Sequence, residues 1–500
     1  MWIRAALTAV ALTSIAASAH AQGGPPPPPL NPIPPPPVPA ANPQSSSKIV
    51  LGKFLFWDAQ LSSDDSVACG TCHLPEFGGS DPRSMNSVGV NPGFDGVFGT
   101  ADDIGGSPGV SAELCGVGFE AHPIFGDERQ VTGRKTPTMI GAAYSTTLFW
   151  DGRATGQFLD PETGALVIGQ GGALESQAVE PILSTIEMSC DGRTWEDVRN
   201  KLEFVEPAGL ALSRTPDMNA ALTSNPDYPS LFQAAFGTAD ITAARIGMAL
   251  ASYQRTLVPN QAPFDAFITN GPSALTPLQN QGNQLFAQNC LPCHGGALQT
   301  DNQFHNVGVR PLAEDTGRQD ITGNPADAGR FKTPTLRNVG LRAPYFHNGG
   351  KTTLLEVVQF YNNGGDFLAN QSPLIQPLGL NPGQINAIVH VLDTALTDPR
   401  VEQKLPPFDH PELRPYFRRG DTNGDDNFNI ADPIGTLDYL FLGSSIACQD
   451  SADSNDDGNL DIGDVISSLS RIFTGAAPLP APSEVRRGPD PTEDSLDCDA

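Results

Sequence analysis

Residues 69–73 read Cys-Gly-Thr-Cys-His and residues 290–294 read Cys-Leu-Pro-Cys-His. Two cysteines at this spacing, followed at once by histidine, suit covalent haem attachment: the thiols add across the haem vinyl groups and the histidine ligates the iron. A thioredoxin-like redox pair would need a βαβ setting, and a zinc site would need partner ligands at zinc spacing; neither surrounds Cys69, Cys72 and His73 or Cys290, Cys293 and His294. The chain is thus expected to hold two covalent haem c groups, with His73 and His294 as proximal ligands. Each iron has a second axial position, and no methionine follows Met248 to fill the one in the second unit.

Four other residues could fill it: His305, His347, His390 and Tyr361. His390 lies off the apolar stripe of its helix and reads as a surface histidine. His305 and His347 lie in loops and read equally well as hydrogen-bonded core residues. In "TTLLEVVQFYNNGG", Leu354, Val357, Val358 and Tyr361 fall on one helical face, and Asn362-Asn363-Gly364 ends the helix. This buries a phenol whose oxygen needs a partner, either iron or a carbonyl group.

The remaining cysteines bear on the compartment. Of eight, four are taken by the attachment motifs, leaving Cys115, Cys190, Cys448 and Cys498 for two disulfides, read as Cys115–Cys190 and Cys448–Cys498. Disulfides suit an exported protein. Residues 1–21 read as a secretory signal peptide, with one early arginine, an apolar run and Ala19-His20-Ala21 as the cleavage signal. No later stretch is apolar enough to span a bilayer, so a periplasmic or secreted protein is expected. The formal charge of −27 argues against nucleic acid or an anionic membrane as partner.

Residues 22–47 form a proline-rich linker without core-forming capacity. A first unit, 48–258, holds the first motif and closes on a helix with Ile246, Leu250, Tyr253 and Leu257 on one face. A second, 259–410, holds the other. Its helices start at Thr276-Pro277 and Asn381-Pro382, the latter with Ile385, Ile388, Val389, Leu392 and Leu396 as its stripe. Both units read as mainly α with long loops, and the acidic run Asp95…Asp102-Asp103 reads as a solvated turn.

The last unit, 415–500, is different. Asp421, Asn423, Asp425, Asn429 and Asp432 stand at positions 1, 3, 5, 9 and 12 of one loop, and Asp453, Asn455, Asp457, Asp461 and Asp464 repeat the pattern. Oxygen ligands so spaced wrap one Ca2+ per loop. The paired, EF-hand-like loops with following helices resemble a dockerin, which implies a cohesin-like docking partner.

The stretches "CGTCHLPEFGGSDPR", "GRKTPTMIGAAYSTTLFWDGRA", "ESQAVEPILSTIEM", "CLPCHGG" and "FKTPTLRNVGLRAPYFHNGGKTTLLEVVQFY" together resemble the bacterial dihaem cytochrome c peroxidases and MauG. The resemblance implies two cytochrome-c-like haem domains in tandem. The first would be the peroxide site, and the second would relay electrons from a small cytochrome, cupredoxin or other donor. It implies Trp150 as the bridge between haems, and Gln177 and Glu187 as peroxide-pocket residues, with Glu187 the acid/base. It places the second haem's distal ligand on Tyr361, as in MauG. Two features depart from the usual peroxidases. The capping histidine after a Ser-x-Gly step is missing at Ser87-Val88-Gly89-Val90, leaving His122 as the one replacement. The asparagine of an interdomain calcium site falls on Lys135. The expected activity is reduction of hydrogen peroxide. The alternatives are a MauG-like oxidase acting on a protein or organic substrate through high-valent iron, and a dihaem electron-transfer cytochrome.

Overall fold

The computed structural model describes residues 31–500 except 86, 120, 127, 415, 425–426, 447, 485–487, 489, 491, 493–495, 497 and 499–500. The signal-peptide reading and Asp425 fall outside the described residues. The described part is mainly helical, and its strands form short two-stranded ribbons. None of the described helices is long and apolar enough to cross a membrane.

Helix α1 (Ser46–Trp57) is capped by the Ser45 side chain and is buried along most of its length. It crosses the helix that closes the first unit. A Cβ on Gly52 would lie 2.0 Å from the Ala249 carbonyl oxygen, so glycine lets the two backbones touch. Helix α2 (Ala173–Val179) and helix α3 (Ala243–Gln254) complete this packing. On α3 and just beyond it, Ile246, Leu250, Tyr253 and Leu257 are all buried.

The second unit repeats the device. Helix α4 (Pro277–Asn289) starts at a Thr276/Gln279 capping box with proline in its first turn. Helix α5 (Leu354–Asn363) ends on Gly364 at φ +86°. Helix α6 (Pro382–His390) crosses α4 so closely that a Cβ on Gly282 would meet the Ala387 carbonyl oxygen at 2.0 Å. A separate core forms here from Phe264, Phe286, Leu354, Val358, Ile385, Ile388, Leu392 and Leu396.

Two segments depart from the sequence reading. The end of the proline-rich linker packs as a strap on the first unit: Asn42 is wholly buried, its amide donating to Glu175 (2.7 Å) and to the Met248 carbonyl (2.9 Å). The Pro37 carbonyl accepts from Arg255 (3.2 Å). Proline removes backbone donors but leaves carbonyl acceptors, and the buried polar side chains use them. Further on, Val401 and Phe408 leave the second unit and join the first core, and Glu412–Leu413 pairs with Ala211–Ser213.

Disulfides join Cys115 to Cys190 and Cys448 to Cys498. In the tail, helix α7 (Ala431–Leu442) packs on helix α8 (Ile462–Thr474). Each is tied to its preceding loop by an equivalent hydroxyl pair, Thr422–Thr436 (3.1 Å) and Ser454–Ser468 (2.7 Å).

Candidate haem centres and the cavity between them

One continuous cavity of about 840 Å³ reaches both attachment motifs, and Trp150, Gln177, Glu187 and Tyr361 all line it. Residues 69–72 form one helical turn whose Gly70 lies against the Trp57 ring; a Cβ there would come within 2.2 Å of it. His73 Nδ1 faces the Gly79 carbonyl at 3.2 Å, and His294 Nδ1 faces the Gln299 carbonyl at 3.0 Å. Nδ1 must therefore be the donor, which leaves Nε2 as the basic nitrogen in both. Burial lowers both imidazole pKa values and so favours the neutral ligand form. None of the four cysteines of the motifs is paired in a disulfide.

The same clamp holds both motifs, and it is written twice in the sequence as Lys-Thr-Pro-Thr. In the first unit the Thr136 carbonyl accepts from Ser80 (2.7 Å), and the Thr138 hydroxyl donates to the Gly78 carbonyl (2.7 Å). In the second, the Thr333 carbonyl accepts from Thr300 (2.7 Å), and the Thr335 hydroxyl donates to the Leu298 carbonyl (2.5 Å). The leading lysines, Lys135 and Lys332, line the cavity, as does Arg342.

None of these three cations, of which Lys135 and Arg342 are buried and Lys332 half-buried, has a carboxylate partner within ion-pair distance among the described residues. Lys135 donates to the Ser80 hydroxyl, Lys332 to the Ser145 hydroxyl (2.9 Å) and the Thr147 carbonyl (3.1 Å), and Arg342 to the Thr335 carbonyl. Burial pulls their pKa values down, to about 7 for Lys135, with the Arg342 charge adding to it, about 8 for Lys332 and about 10 for Arg342. An uncompensated buried charge costs roughly several kcal/mol. The carboxylates of haem propionates would supply the missing partners, so the cavity suits two haem groups in size, attachment chemistry and charge. The repeated tetrapeptide is the sequence signal for the two lysines, and motif reading passes over it.

Glu187 lies in the turn after α2. Its amide donates to the Ser184 carbonyl (3.1 Å), and strand β1 (Pro108–Ser111) presses on this turn through Val110 N–H to the Ile186 carbonyl (3.2 Å). A Cβ at Gly109 would lie 1.8 Å from that same carbonyl oxygen, so only glycine permits the approach. Strand β2 (Arg129–Val131) pairs with β1, and its Gln130 side chain donates to the Thr185 carbonyl (2.7 Å). Burial raises the Glu187 pKa, opposed by a hydrogen bond with Ser184 and the charge of Arg153. Gln177 sits on α2, two residues beyond Glu175, which is wholly buried and paired with Arg255 (2.8 Å).

Trp150 donates its indole N–H to the Lys135 carbonyl (2.7 Å), and its own carbonyl accepts from the Lys332 amide (2.8 Å). It thus bridges the two tetrapeptides. Tyr361 faces the cavity, and its hydroxyl has no hydrogen-bond partner among the described residues.

Two of the histidine alternatives, His305 and His347, also line the cavity. His305 Nε2 pairs with Asp301 (2.8 Å), which raises its pKa to about 9. His347 stacks on Phe331 (ring centroids 3.6 Å), its buried Nε2 has no hydrogen-bond partner among the described residues, and burial pulls its pKa down to about 3, whereas His390 is half-buried outside the cavity lining. His122 also lies outside the lining, its Nδ1 accepting from the Ile124 and Phe125 amides. Lys135, onto which the resemblance places the asparagine of an interdomain calcium site, is buried.

Residues 46–273 match the family model "Di-haem cytochrome c peroxidase", and 279–395 match "Cytochrome c". The cytochrome-c peroxidase IdrP1 of Denitromonas iodatirespirans is 30% identical over 441 residues, 81% of this chain and 96% of that protein. The methylamine utilization protein MauG of Methylorubrum extorquens is 30% identical over 366 residues, 72% of this chain and 81% of that one. The crystal structure of a MauG-like protein associated with microbial copper homeostasis superposes with a TM-score of 0.54 at 25% identity, covering 75% of this chain and 96% of that one. Two attachment motifs opening into one cavity, and these matches across both units, make the chain a member of the di-haem cytochrome c peroxidase family of oxidoreductases.

Proposed function

We propose that this chain reduces hydrogen peroxide at the first haem site, with electrons from an external cytochrome or cupredoxin-type donor entering through the second. The observation that carries this reading is Glu187, a carboxyl group with a raised pKa lining the same cavity as Cys69, Cys72 and His73. Bound haem supplies the redox-active iron that accepts peroxide and takes up electrons. The remaining work falls to side chains. Glu187 takes the proton from one peroxide oxygen and returns it to the other, which then leaves as water. Gln177 positions the peroxide with its amide. Trp150, hydrogen-bonded to one Lys-Thr-Pro-Thr segment through its indole and to the other through its carbonyl, is the electron bridge.

Tyr361 favours a second reading beside the first. Its unpartnered hydroxyl is suited to ligate the second haem's iron, and a phenolate stabilises the more oxidised metal. That would fit a MauG-like oxidase drawing electrons from a protein or organic substrate. We assign residues 48–258 and 259–410 as the two haem units and 415–500 as a calcium-loaded, dockerin-like module on an exported, periplasmic or secreted protein. Asp464 supports the calcium reading: burial and the neighbouring Asp453 push its carboxyl up to about 7. A cation beside Asp464 would favour its ionised form. The docking reading is supported by a duplicated apolar face. Ile430, Ile434 and Phe441 recur 32 residues later as Ile462, Ile466 and Phe473, and Phe441 and Phe473 are 69% and 68% exposed.

The test is Glu187→Gln, assayed by stopped-flow peroxide consumption with a reduced donor. Loss of a general acid/base lowers kcat/KM by roughly 10²–10⁴-fold. The wild-type rate should also climb as pH rises through a carboxyl value above the usual range, and the variant should lose that limb. A loss under about tenfold at unchanged haem content would remove Glu187 from the reaction.

A further inference from the structure

Trp57 lies against the first attachment motif but outside the cavity lining that includes Trp150, and neither haem attachment nor the proposed peroxide chemistry uses it. It is wholly buried at the end of α1. Its ring presses on Gly70, between the two haem-binding thiols, so closely that a Cβ would come within 2.2 Å. Its indole N–H donates to the Tyr253 hydroxyl (3.0 Å). The Phe56 ring fills the space between Trp57, Tyr253 and His73, with centroid distances of 5.6, 5.3 and 6.2 Å. On the outer face the His410 ring lies flat on the indole, 4.2 Å away and 9° from parallel. His410 faces the Pro411 carbonyl through Nδ1 (2.8 Å) and the Glu76 carboxyl through Nε2 (3.1 Å).

We propose that Trp57 is an internal electron reserve for the first haem site: when peroxide arrives and the external donor is exhausted, the indole gives up one electron and holds the resulting radical cation. The proposal rests on the peroxidase reading above. Reduction of one H2O2 to two waters takes two electrons and two protons. Here Trp57 supplies one electron, haem iron the other, and solvent the protons. No bond of the indole breaks. Two electrons from the external donor later restore the site, one to the iron and one to Trp57.

The surroundings explain why the oxidising equivalent stays on this ring. Tyr253 cannot take the indole proton, because a phenol oxygen that holds its own proton is no base, and burial keeps that proton on. Tyr253 could be oxidised in turn only by shedding that proton, and its hydroxyl donates no hydrogen bond to any described residue, the Asp409 and Asp217 carboxylates acting on it through charge alone. Behind the stacked imidazole, Glu76 supplies an anion; burial pushes its pKa up, but contact with His410 more than offsets this and keeps it a carboxylate. In a low-dielectric interior a nearby anion favours a cationic ring. Complete burial also keeps water and oxygen from the radical.

The experiment is rapid-freeze EPR on the haem-loaded full chain mixed with peroxide without donor, in unlabelled protein and in protein with ring-deuterated tryptophan. The expected result is a protein radical whose lines narrow on deuteration and which is lost in Trp57→Phe. Should that variant load haem poorly, Tyr253→Phe is the second readout: it leaves Trp57 in place but removes the hydrogen-bond acceptor, and the proton coupling of the indole N–H should shift in ENDOR spectra. A radical that persists in Trp57→Phe, ignores tryptophan deuteration, or vanishes in Trp150→Phe while surviving in Trp57→Phe would overturn the proposal. The peroxidase reading is tested separately by peroxide consumption with reduced donor, which needs no radical to form.

Discussion

Arg255→Met should strike the pocket through the strap that the proline-rich segment forms. Arg255 and Glu175 are 1% and 0% exposed at their side chains, and they pair at 2.8 Å. A second Arg255 nitrogen donates to the other Glu175 oxygen at 2.9 Å. Removing one partner of such a pair leaves an uncompensated buried charge, a loss of about 3–5 kcal/mol. The low end applies here, because Asn42 still donates to Glu175 (2.7 Å) and the Lys48 ammonium still faces it. For a unit of this size each kcal/mol shifts Tm by about 2–4 °C, so the melting temperature should fall by about 6–12 °C. The assay is thermal unfolding of the haem-loaded protein by circular dichroism at fixed salt, beside the double variant Arg255→Met/Glu175→Gln. That double variant removes the stranded charge, retains an acceptor for Asn42, and should regain about 2 kcal/mol or more. Equal melting of the single and double variants would refute the reasoning, since the loss would then be one of packing and not of charge. Because Gln177 follows on the same helix turn, the single variant should also weaken peroxide binding.

Tyr361→Met should raise the midpoint potential of the second haem, because a thioether replaces an anionic oxygen donor; an unchanged potential in a redox titration would take Tyr361 off the iron. Chelation of calcium should destabilise the tail, and the sign of its pH dependence follows from Asp464. With its carboxyl raised to about 7 in the cation-free fold, the apo tail loses stability as pH climbs from the ordinary carboxylate range toward 7, and added Ca2+ should restore most above that value. Differential scanning calorimetry with and without chelator checks both, and a tail transition indifferent to calcium at every pH would remove the ion.

What could be read from the sequence was whatever a short window contains. The attachment motifs, the capped start of α4, the stripe carrying Tyr361 and its Gly364 stop all depend on spacing within one or two helical turns, and the structure keeps them. The strap was misread because composition speaks for local propensity: a run of prolines cannot nucleate a core, but its carbonyls can serve as acceptors for Arg255 and Tyr144, more than 100 residues away in sequence. The half-buried state of Tyr361 was likewise not periodic information. The stripe predicted burial, and the cavity opposite the stripe, which only the assembled units create, exposes the phenol to it.

The Lys-Thr-Pro-Thr pair shows where this limit lies. Either copy alone reads as a turn, since proline and flanking threonines favour one and a lysine suggests a solvated face. The two copies together, one per attachment motif, say something a single copy cannot. The same clamp is needed wherever a haem-bearing loop must be held, and a lysine recurring at its head points away from solvent, toward a charge shared by both sites. Lys135 is buried and Lys332 is half-buried on the cavity wall, and Trp150 is hydrogen-bonded to the main chain of both. Trp150, the proposed bridge, is thus held by the very segments that place a lysine on the wall of the cavity. A substitution at either lysine should therefore move the electrostatics of both haem sites together.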